Sequence, residues 1–113
     1  MRVLLDENDT KLLKKDLIDE HEVYTVRKKK WTSYSNGELL KKMIEEDFNV
    51  LITFDANLSK QQNFQKYPIP VIILSAYRSY YARLTPLIPY LKSVLRTQLP
   101  TGPIVISEKD III

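Results

Sequence analysis

Three acidic residues stand at positions that could bind a metal ion. Asp6 directly follows the apolar run at residues 3–5. Asp55 follows a second such run at residues 50–54, and Glu38 stands near the start of an amphipathic pattern. Carboxylate oxygens are the ligands that Mg²⁺ and Mn²⁺ prefer. If the three acids converge, such a metal could generate hydroxide and neutralise charge in phosphodiester cleavage.

Each acid also has a purely structural interpretation. Asp6 and Asp55 could cap the helices that follow them, and Glu38 has the capping-box spacing from Ser35. Singly, each acid favours the structural interpretation. Two acids that end two interior strands are harder to explain by capping, so together they favour a site.

Strands and helices are predicted to alternate along the whole chain. Apolar and β-branched runs predict strands at residues 3–5, 23–26, 50–54, 71–74 and 104–106. Helical spacing predicts helices over 12–18, with Asn8 or Asp9 as N-cap, and over 35–44. It also predicts a helix with its apolar face over 84–95, with Thr85 as N-cap and Pro86 as the first helical residue. The polar stretch at 57–65, rich in glutamine and asparagine, is expected to form a short helix. We therefore expect one α/β domain over residues 1–113, a three-layer sandwich with a mainly parallel central sheet of about five strands. With strand 1 between strands 2 and 3, Asp6 and Asp55 end neighbouring strands.

The composition narrows the chemistry further. The 113 residues include no cysteine and one histidine, which excludes disulfides, thiolate metal sites, a cysteine nucleophile and three-histidine zinc sites. His21 is expected to be a turn residue rather than a ligand. Without cysteine, a signal-peptide pattern or an apolar run near the ~20 residues of a membrane span, we expect a cytoplasmic protein. The formal net charge of +3 permits a nucleic-acid partner.

Basic and aromatic residues are predicted at the same edge of the sheet as the acids. One group leaves strand 2, the other leaves strand 4, and together they include Arg27, Lys28, Lys29, Lys30, Trp31, Tyr77 and Arg78. Cationic side chains bind phosphates and aromatic rings stack on bases, so the pattern predicts single-stranded RNA binding. A solvated loop for the lysines and a protein interface for the tyrosines stay open.

A phosphoacceptor receiver domain would use similar positions. It needs acids after strand 1, an acceptor aspartate after strand 3 and a hydroxyl after strand 4, which Asp6, Glu7, Asp55 and Ser75 could supply. Receivers carry a Lys-Pro pair at the end of strand 5, whereas no proline follows Lys109. The segment between strands 4 and 5 is also too long for a receiver. We therefore favour this interpretation less.

An ordered set of motifs resembles a known family more closely. The motifs are Leu4-Leu5-Asp6-Glu7-Asn8, His21-Glu22-Val23-Tyr24-Thr25-Val26, Trp31, Asn36-Gly37-Glu38-Leu39-Leu40, Leu51-Ile52-Thr53-Phe54-Asp55 and Gln61-Gln62-Asn63. With residues 70–74 and the 84–95 helix, they resemble the small PIN-like domains of the DUF5615 group, described as toxin-antitoxin nucleases. Each motif alone is weak, but the ordered set is specific and extends over nearly the whole chain.

The resemblance implies a compact PIN-like fold and a ribonuclease that depends on Mg²⁺ or Mn²⁺, a toxin silenced by a cognate antitoxin. Asp6, Glu38 and Asp55 match the acidic positions of the family. Many PIN-type sites place another acid two residues after the third-strand aspartate, where this chain has Asn57. The missing charge favours a single metal. Side chains that could orient the ligands are Asn8, Asn57 and Gln62.

Two further interpretations stay open at this point. The same pocket could be catalytically inactive, with the protein acting by partner binding through its tyrosine-rich segment at residues 77–83. A homodimer is also left open by the sequence.

Overall fold

The computed structural model describes residues 1–6, 13–54, 66–75 and 87–107 of the chain. These ranges contain five strands and three helices. The strands are β1 (Arg2–Leu5), β2 (Glu22–Thr25), β3 (Val50–Thr53), β4 (Pro70–Ser75) and β5 (Gly102–Ser107). The helices are α1 (Lys14–Leu17), α2 (Asn36–Glu45) and α3 (Ile88–Leu95).

The five strands form one parallel sheet in the order β2-β1-β3-β4-β5. This confirms the predicted α/β class, the mainly parallel sheet and the position of strand 1 between strands 2 and 3. Leu5 is in register with Thr25 on one side and with Ile52 on the other. The carboxyl ends of β1, β2 and β3 therefore meet at one edge of the sheet.

Successive strand residues fall alternately into two hydrophobic clusters, as the two-residue period of a strand requires. The aliphatic cluster is Val3, Leu5, Leu13, Leu17, Val23, Val50, Ile52, Ile72, Leu74, Leu87, Leu91, Leu95 and Ile106. The aromatic cluster is Leu4, Val26, Trp31, Leu39, Leu40, Met43, Phe48, Leu51, Ile69, Val71 and Ile73. The first takes its helical members from around α1 and α3, and the second takes them from α2. Both sides of the strands thus carry buried apolar residues, which suits an all-parallel sheet.

Helix α2 begins where the sequence predicts it. Ser35 has an extended backbone, and its Oγ accepts a hydrogen bond from the Glu38 amide at 3.3 Å. The Ser35 hydroxyl also donates to Glu38 Oε1 at 2.9 Å. The helix ends before Asp47, whose φ of 61° turns the chain towards β3. Ser35 is thus confirmed as the N-cap, and the Glu38 side chain bonds the Ser35 hydroxyl instead of the Ser35 amide that a capping box would use.

Several predicted boundaries shift or lie outside the described residues. Helix α1 has Leu13 at its N-cap without a side-chain cap, and the predicted caps Asn8 and Asp9 are not among the described residues. The predicted helix at 57–65 and the predicted helix start at Thr85 and Pro86 also lie outside them. Strand β5 begins at Gly102, two residues before the predicted start, because Gly102 adopts a φ of 97° and leads directly into the ladder with β4.

No helix within the described ranges is long and apolar enough to cross a membrane.

Candidate functional site

Asp6 stands at the carboxyl edge of the sheet, directly after β1. Its amide donates to the Ile52 carbonyl at 2.9 Å, which continues the β1–β3 ladder by one residue. Its side chain is half-buried. Asp6 is therefore positioned by the two central strands, at the edge where open α/β sheets bind ligands.

Thr53 fixes the Asp6 carboxylate. The Thr53 side chain is fully buried, and its Oγ1 donates to Asp6 Oδ2 at 2.7 Å. A short hydrogen bond to a carboxylate is stronger than one between neutral groups, so it restricts the orientation of the carboxylate. Sequence reasoning did not assign Thr53 a role. The available signal was a single hydroxyl within the otherwise apolar run at residues 50–54.

Asp55, the second predicted metal ligand, lies two residues beyond Thr53 and outside the described residues. The other predicted site residues outside them are Asn8, Asn57, Gln62, Tyr77 and Arg78. Their roles stay predictions. The last described contact between β3 and Asp6 is the hydrogen bond from the Thr53 hydroxyl.

Glu38, the third predicted acid, lies in the first turn of α2 with its Oε1 held by the Ser35 hydroxyl. Its exposed side chain lines a shallow groove of about 260 Å³ with Tyr34, Lys41, Lys42 and Glu45. Asp6 does not line this groove. Within the described part of the chain, no group of three acidic or histidine side chains is arranged to hold a metal. Among the described residues, Asp6 can therefore supply one carboxylate ligand to a hard cation such as Mg²⁺ at this edge of the sheet.

A compact basic turn follows β2 at the same edge as Asp6. It consists of Arg27, Lys28, Lys29 and Lys30. The residue before it, Val26, donates its amide to the Leu5 carbonyl at 3.0 Å. Leu5 directly precedes Asp6. The basic turn and the acid therefore leave adjacent strand ends, as the sequence predicts.

The backbone of the basic turn closes on itself. The Thr25 hydroxyl accepts from the Lys28 amide at 3.1 Å, and the Lys30 amide donates to the Arg27 carbonyl at 3.0 Å. Lys30 has a φ of 63°, a left-handed conformation that is uncommon for residues other than glycine. This geometry leaves the side chains of Arg27, Lys28 and Lys30 exposed.

Lys29 is directed inward instead. Its Nζ lies 3.2 Å from Glu46 Oε1, 5.5 Å from the Tyr24 ring centroid and 5.0 Å from the Trp31 ring centroid. The hydrogen bond from Lys29 lowers the pKa of the Glu46 carboxyl. Lys29 is therefore paired with Glu46, and its role as a phosphate-binding residue stays a prediction.

Trp31 is also directed inward, with 6% of its surface exposed. Its ring packs edge-on against Phe48 at 5.7 Å and stacks on Tyr34 at 6.4 Å between centroids. A ring enclosed in this way has no open face for a base, so the interpretation of Trp31 as a stacking platform is wrong for this structure. Trp31 instead anchors the basic turn, and its amide donates to the Val26 carbonyl at 3.0 Å.

His21 lies in the turn between α1 and β2, as the sequence predicts. Its amide donates to the Leu17 carbonyl at 3.1 Å. Burial lowers the pKa of the imidazole, and the nearby α-amino group of Met1 lowers it further. The position suits a structural residue rather than a metal ligand.

A cavity of about 490 Å³ lies at the amino ends of β3 and β4, at the opposite end of the strands from Asp6. Its lining includes Ile44, Asp47, Phe48, Pro70 and Leu99. Volume alone therefore does not mark the edge that carries Asp6. The edge that carries Asp6 is distinguished by a carboxylate that lies beside the exposed cationic side chains of the basic turn.

No protein-family model, no curated protein and no solved structure matches this chain.

Proposed function

We propose that this protein is a PIN-like endoribonuclease that depends on Mg²⁺ or Mn²⁺ and cleaves single-stranded RNA. The observation that carries the proposal is the Asp6 carboxylate, oriented by buried Thr53 between the two central strand ends. Asp6 and Asp55 would hold the metal, and Glu38 would serve as a third ligand or orient a water. The bound metal would supply an activated water and polarise the phosphoryl oxygen.

The residues of this chain would divide the remaining tasks. Thr53 keeps one oxygen of Asp6 in a fixed orientation, so that the carboxylate meets a cation without reorganisation. The exposed side chains of the basic turn would bind backbone phosphates beside the acid. In the proposal the protein is a cytoplasmic toxin with a three-layer PIN-like architecture, and an antitoxin silences it.

Cleavage of labelled single-stranded RNA tests the proposal directly. We expect Mg²⁺- or Mn²⁺-dependent cleavage by the natural protein, abolished by a chelator and reduced by about 100-fold or more in Asp6→Asn and in Asp55→Asn. Asp47→Asn is the matched control, because Asp47 is exposed, lies at the opposite end of β3 and has a φ of 61° that asparagine tolerates. Equal cleavage by all four proteins would indicate a contaminant and contradict the proposal.

A PIN-like binding protein without catalysis is the second candidate. It is favoured by the hydrogen bond that holds the Glu38 carboxylate to the Ser35 hydroxyl at the start of α2. Calorimetric titration with Mn²⁺ separates the candidates. Saturable binding that is lost in Asp6→Asn supports the enzyme, whereas a stable protein that binds no divalent metal and cleaves no RNA supports the binding protein.

A receiver domain is the third candidate, because the strand order β2-β1-β3-β4-β5 is also that of flavodoxin-like folds, which include receivers. The test is incubation with acetyl phosphate and Mg²⁺, followed by mass spectrometry. We expect no modification. A gain of one phosphoryl group on Asp55 would replace the nuclease proposal by the receiver.

A further inference from the structure

Strand β5 is an edge of the described sheet. It pairs with β4 over six residues, from Pro70↔Gly102 to Ser75↔Ser107. Among the described residues, no strand pairs with its other side. An edge of this length, rich in β-branched residues, is a template for pairing with another strand.

The hydrogen-bond pattern shows which backbone groups point outward. The Gly102 amide donates to the Ile69 carbonyl at 3.1 Å, so Gly102 faces β4. In a parallel ladder, every second residue directs both its amide and its carbonyl to the same neighbour. Ile104 and Ile106 therefore also face β4, whereas the amide and carbonyl of Val105 point away from it. Pro103 has no amide and points outward too, which is where a strand tolerates proline.

Val105 combines this outward backbone with an apolar side chain that is 58% exposed. Its register partner Ile73 on β4 is 1% exposed and belongs to the aromatic cluster. The apolar covering of that side of the sheet thus ends between β4 and β5. Val105 thus extends onto β5 the row of side chains that is buried at Ile73 on β4.

We propose that β5 pairs antiparallel with β5 of a second copy of this chain, with Val105 at the twofold axis. An antiparallel pair related by a twofold axis places a residue opposite itself and lets the two copies exchange both amide–carbonyl hydrogen bonds. None of the six residues of β5 is charged, so self-pairing opposes no like charges. The product is a continuous ten-stranded sheet across two molecules, and each copy buries the valine of the other.

A second copy is favoured over another protein because the edge is complementary to itself. Val105 is the exposed apolar residue at the middle of the outward-facing positions of β5, so placing it opposite itself buries apolar surface on both copies and brings no charges together. The proposal is independent of nuclease activity. The dimer surface lies at β5, and the candidate site lies at the ends of β1 and β3.

Disulfide trapping tests the geometry, because the chain has no cysteine of its own. Residues that form a hydrogen-bonded antiparallel pair have Cα atoms about 5.5 Å apart, which suits a disulfide. We expect Val105→Cys to give a disulfide-linked dimer under mild oxidation. Pro103→Cys is the register control, because residue 103 would lie opposite residue 107 of the other copy, about 13 Å from its own equivalent.

Ile18→Cys is the control for random collision, because Ile18 is 57% exposed, nearly the same as Val105. Selective linking of Val105→Cys supports the proposal. Equal linking of Val105→Cys and Ile18→Cys overturns it, and preferential linking of Pro103→Cys overturns the register.

Sedimentation of the natural protein at rising concentration gives a second readout. We expect the mass to double with concentration, and we expect Val105→Pro to stay monomeric because it removes the outward amide that the second copy would use. Val105→Thr keeps the amide and the branched side chain, so it should still dimerise. Circular dichroism and thermal unfolding check that each variant is folded. A natural protein that is monomeric at every concentration, or a folded Val105→Pro that still dimerises, overturns the proposal.

Discussion

The two hydrophobic clusters differ in what they do beyond burying apolar surface. The buried members of the aliphatic cluster are valine, leucine and isoleucine throughout. The aromatic cluster includes Trp31 and Phe48, and Lys29 and Arg2 lie over its rings at 4.7–5.5 Å from the centroids. It therefore holds cations as well as apolar side chains. The comparison indicates that one cluster serves the fold alone and the other also positions the basic turn.

Substitution of Trp31 should distinguish the roles of the two clusters most clearly. Trp31→Ala should lower the free energy of unfolding by about 3–5 kcal/mol and release the basic turn. Leu17→Ala, in the aliphatic cluster, should cost about 2–5 kcal/mol but leave the turn intact. Urea unfolding and RNA binding by fluorescence anisotropy measure both effects. We expect weaker RNA binding in the tryptophan variant alone.

Trp31→Phe is a milder second variant, which keeps the test valid if Trp31→Ala does not fold. It keeps an aromatic ring against Phe48, so it should be folded and retain most of its RNA affinity. Equal loss of RNA affinity in a folded Trp31 variant and in Leu17→Ala would show that the aromatic cluster has no special link to the basic turn.

The next effect concerns Thr53, whose position in the strand places it on the same side as Leu51 of the aromatic cluster. Thr53→Val keeps the shape and removes the hydrogen bond to Asp6. We expect a loss of about 1–2 kcal/mol in unfolding free energy and, under the proposed function, a 10- to 100-fold weaker Mn²⁺ affinity. Calorimetry measures the affinity.

Thr97→Val is the matched control for this substitution. Its hydroxyl donates to the Val94 carbonyl at 2.7 Å, at the end of α3 and beside the aliphatic cluster. Unchanged Mn²⁺ binding in Thr53→Val would contradict a role for Thr53 in orienting a metal ligand.

A smaller effect should distinguish the helices of the two clusters. Helix α2 carries a side-chain cap, whereas α1 and α3 have Leu13 and Leu87 at their N-caps and no side-chain cap. Ser35→Ala should therefore lower the free energy of unfolding by about 1 kcal/mol. Ser35→Asp restores an acceptor and should recover most of the loss in thermal unfolding. Failure of the aspartate variant to recover would mean that the cap contributes little.

The smallest effects should appear as a function of pH, in two separate ranges. The pKa of His21 is lowered, so the unfolded chain takes up the proton first, and stability should fall as pH decreases through the ordinary histidine range. The lowered pKa of Glu46 preserves stability above the ordinary glutamate range, and that stability is lost below it. Thermal unfolding of His21→Asn should lack the first phase and retain the second. A first phase that persists in this variant would assign it to another group.

Much of the fold was predictable because its signals are local. Apolar runs gave the five strands, and the spacing of Ser35 and Glu38 gave the start of α2. The inward positions of Lys29 and Trp31 were not predictable, since they depend on the left-handed backbone at Lys30 and on an ion pair with Glu46, which is distant in sequence. The sequence of four consecutive cationic residues does not indicate which of them faces inward.

The candidate site shows the same division. The placement of Asp6 at the sheet edge follows from strand order, which simple topological rules predict. The role of Thr53 depends on a side-chain hydrogen bond between residues 47 positions apart, and no local pattern encodes it.

The central position of β1 also bears on the order in which the nascent chain can fold. Strand β1 pairs with β2 about 20 residues later in the chain, but its second neighbour, β3, ends only at Thr53. Until that residue has left the ribosome, Leu4 and Leu5 have one side of their ladder open. A β1–β2 ribbon that formed before β3 was available would expose this apolar edge, as do the species that chaperones bind.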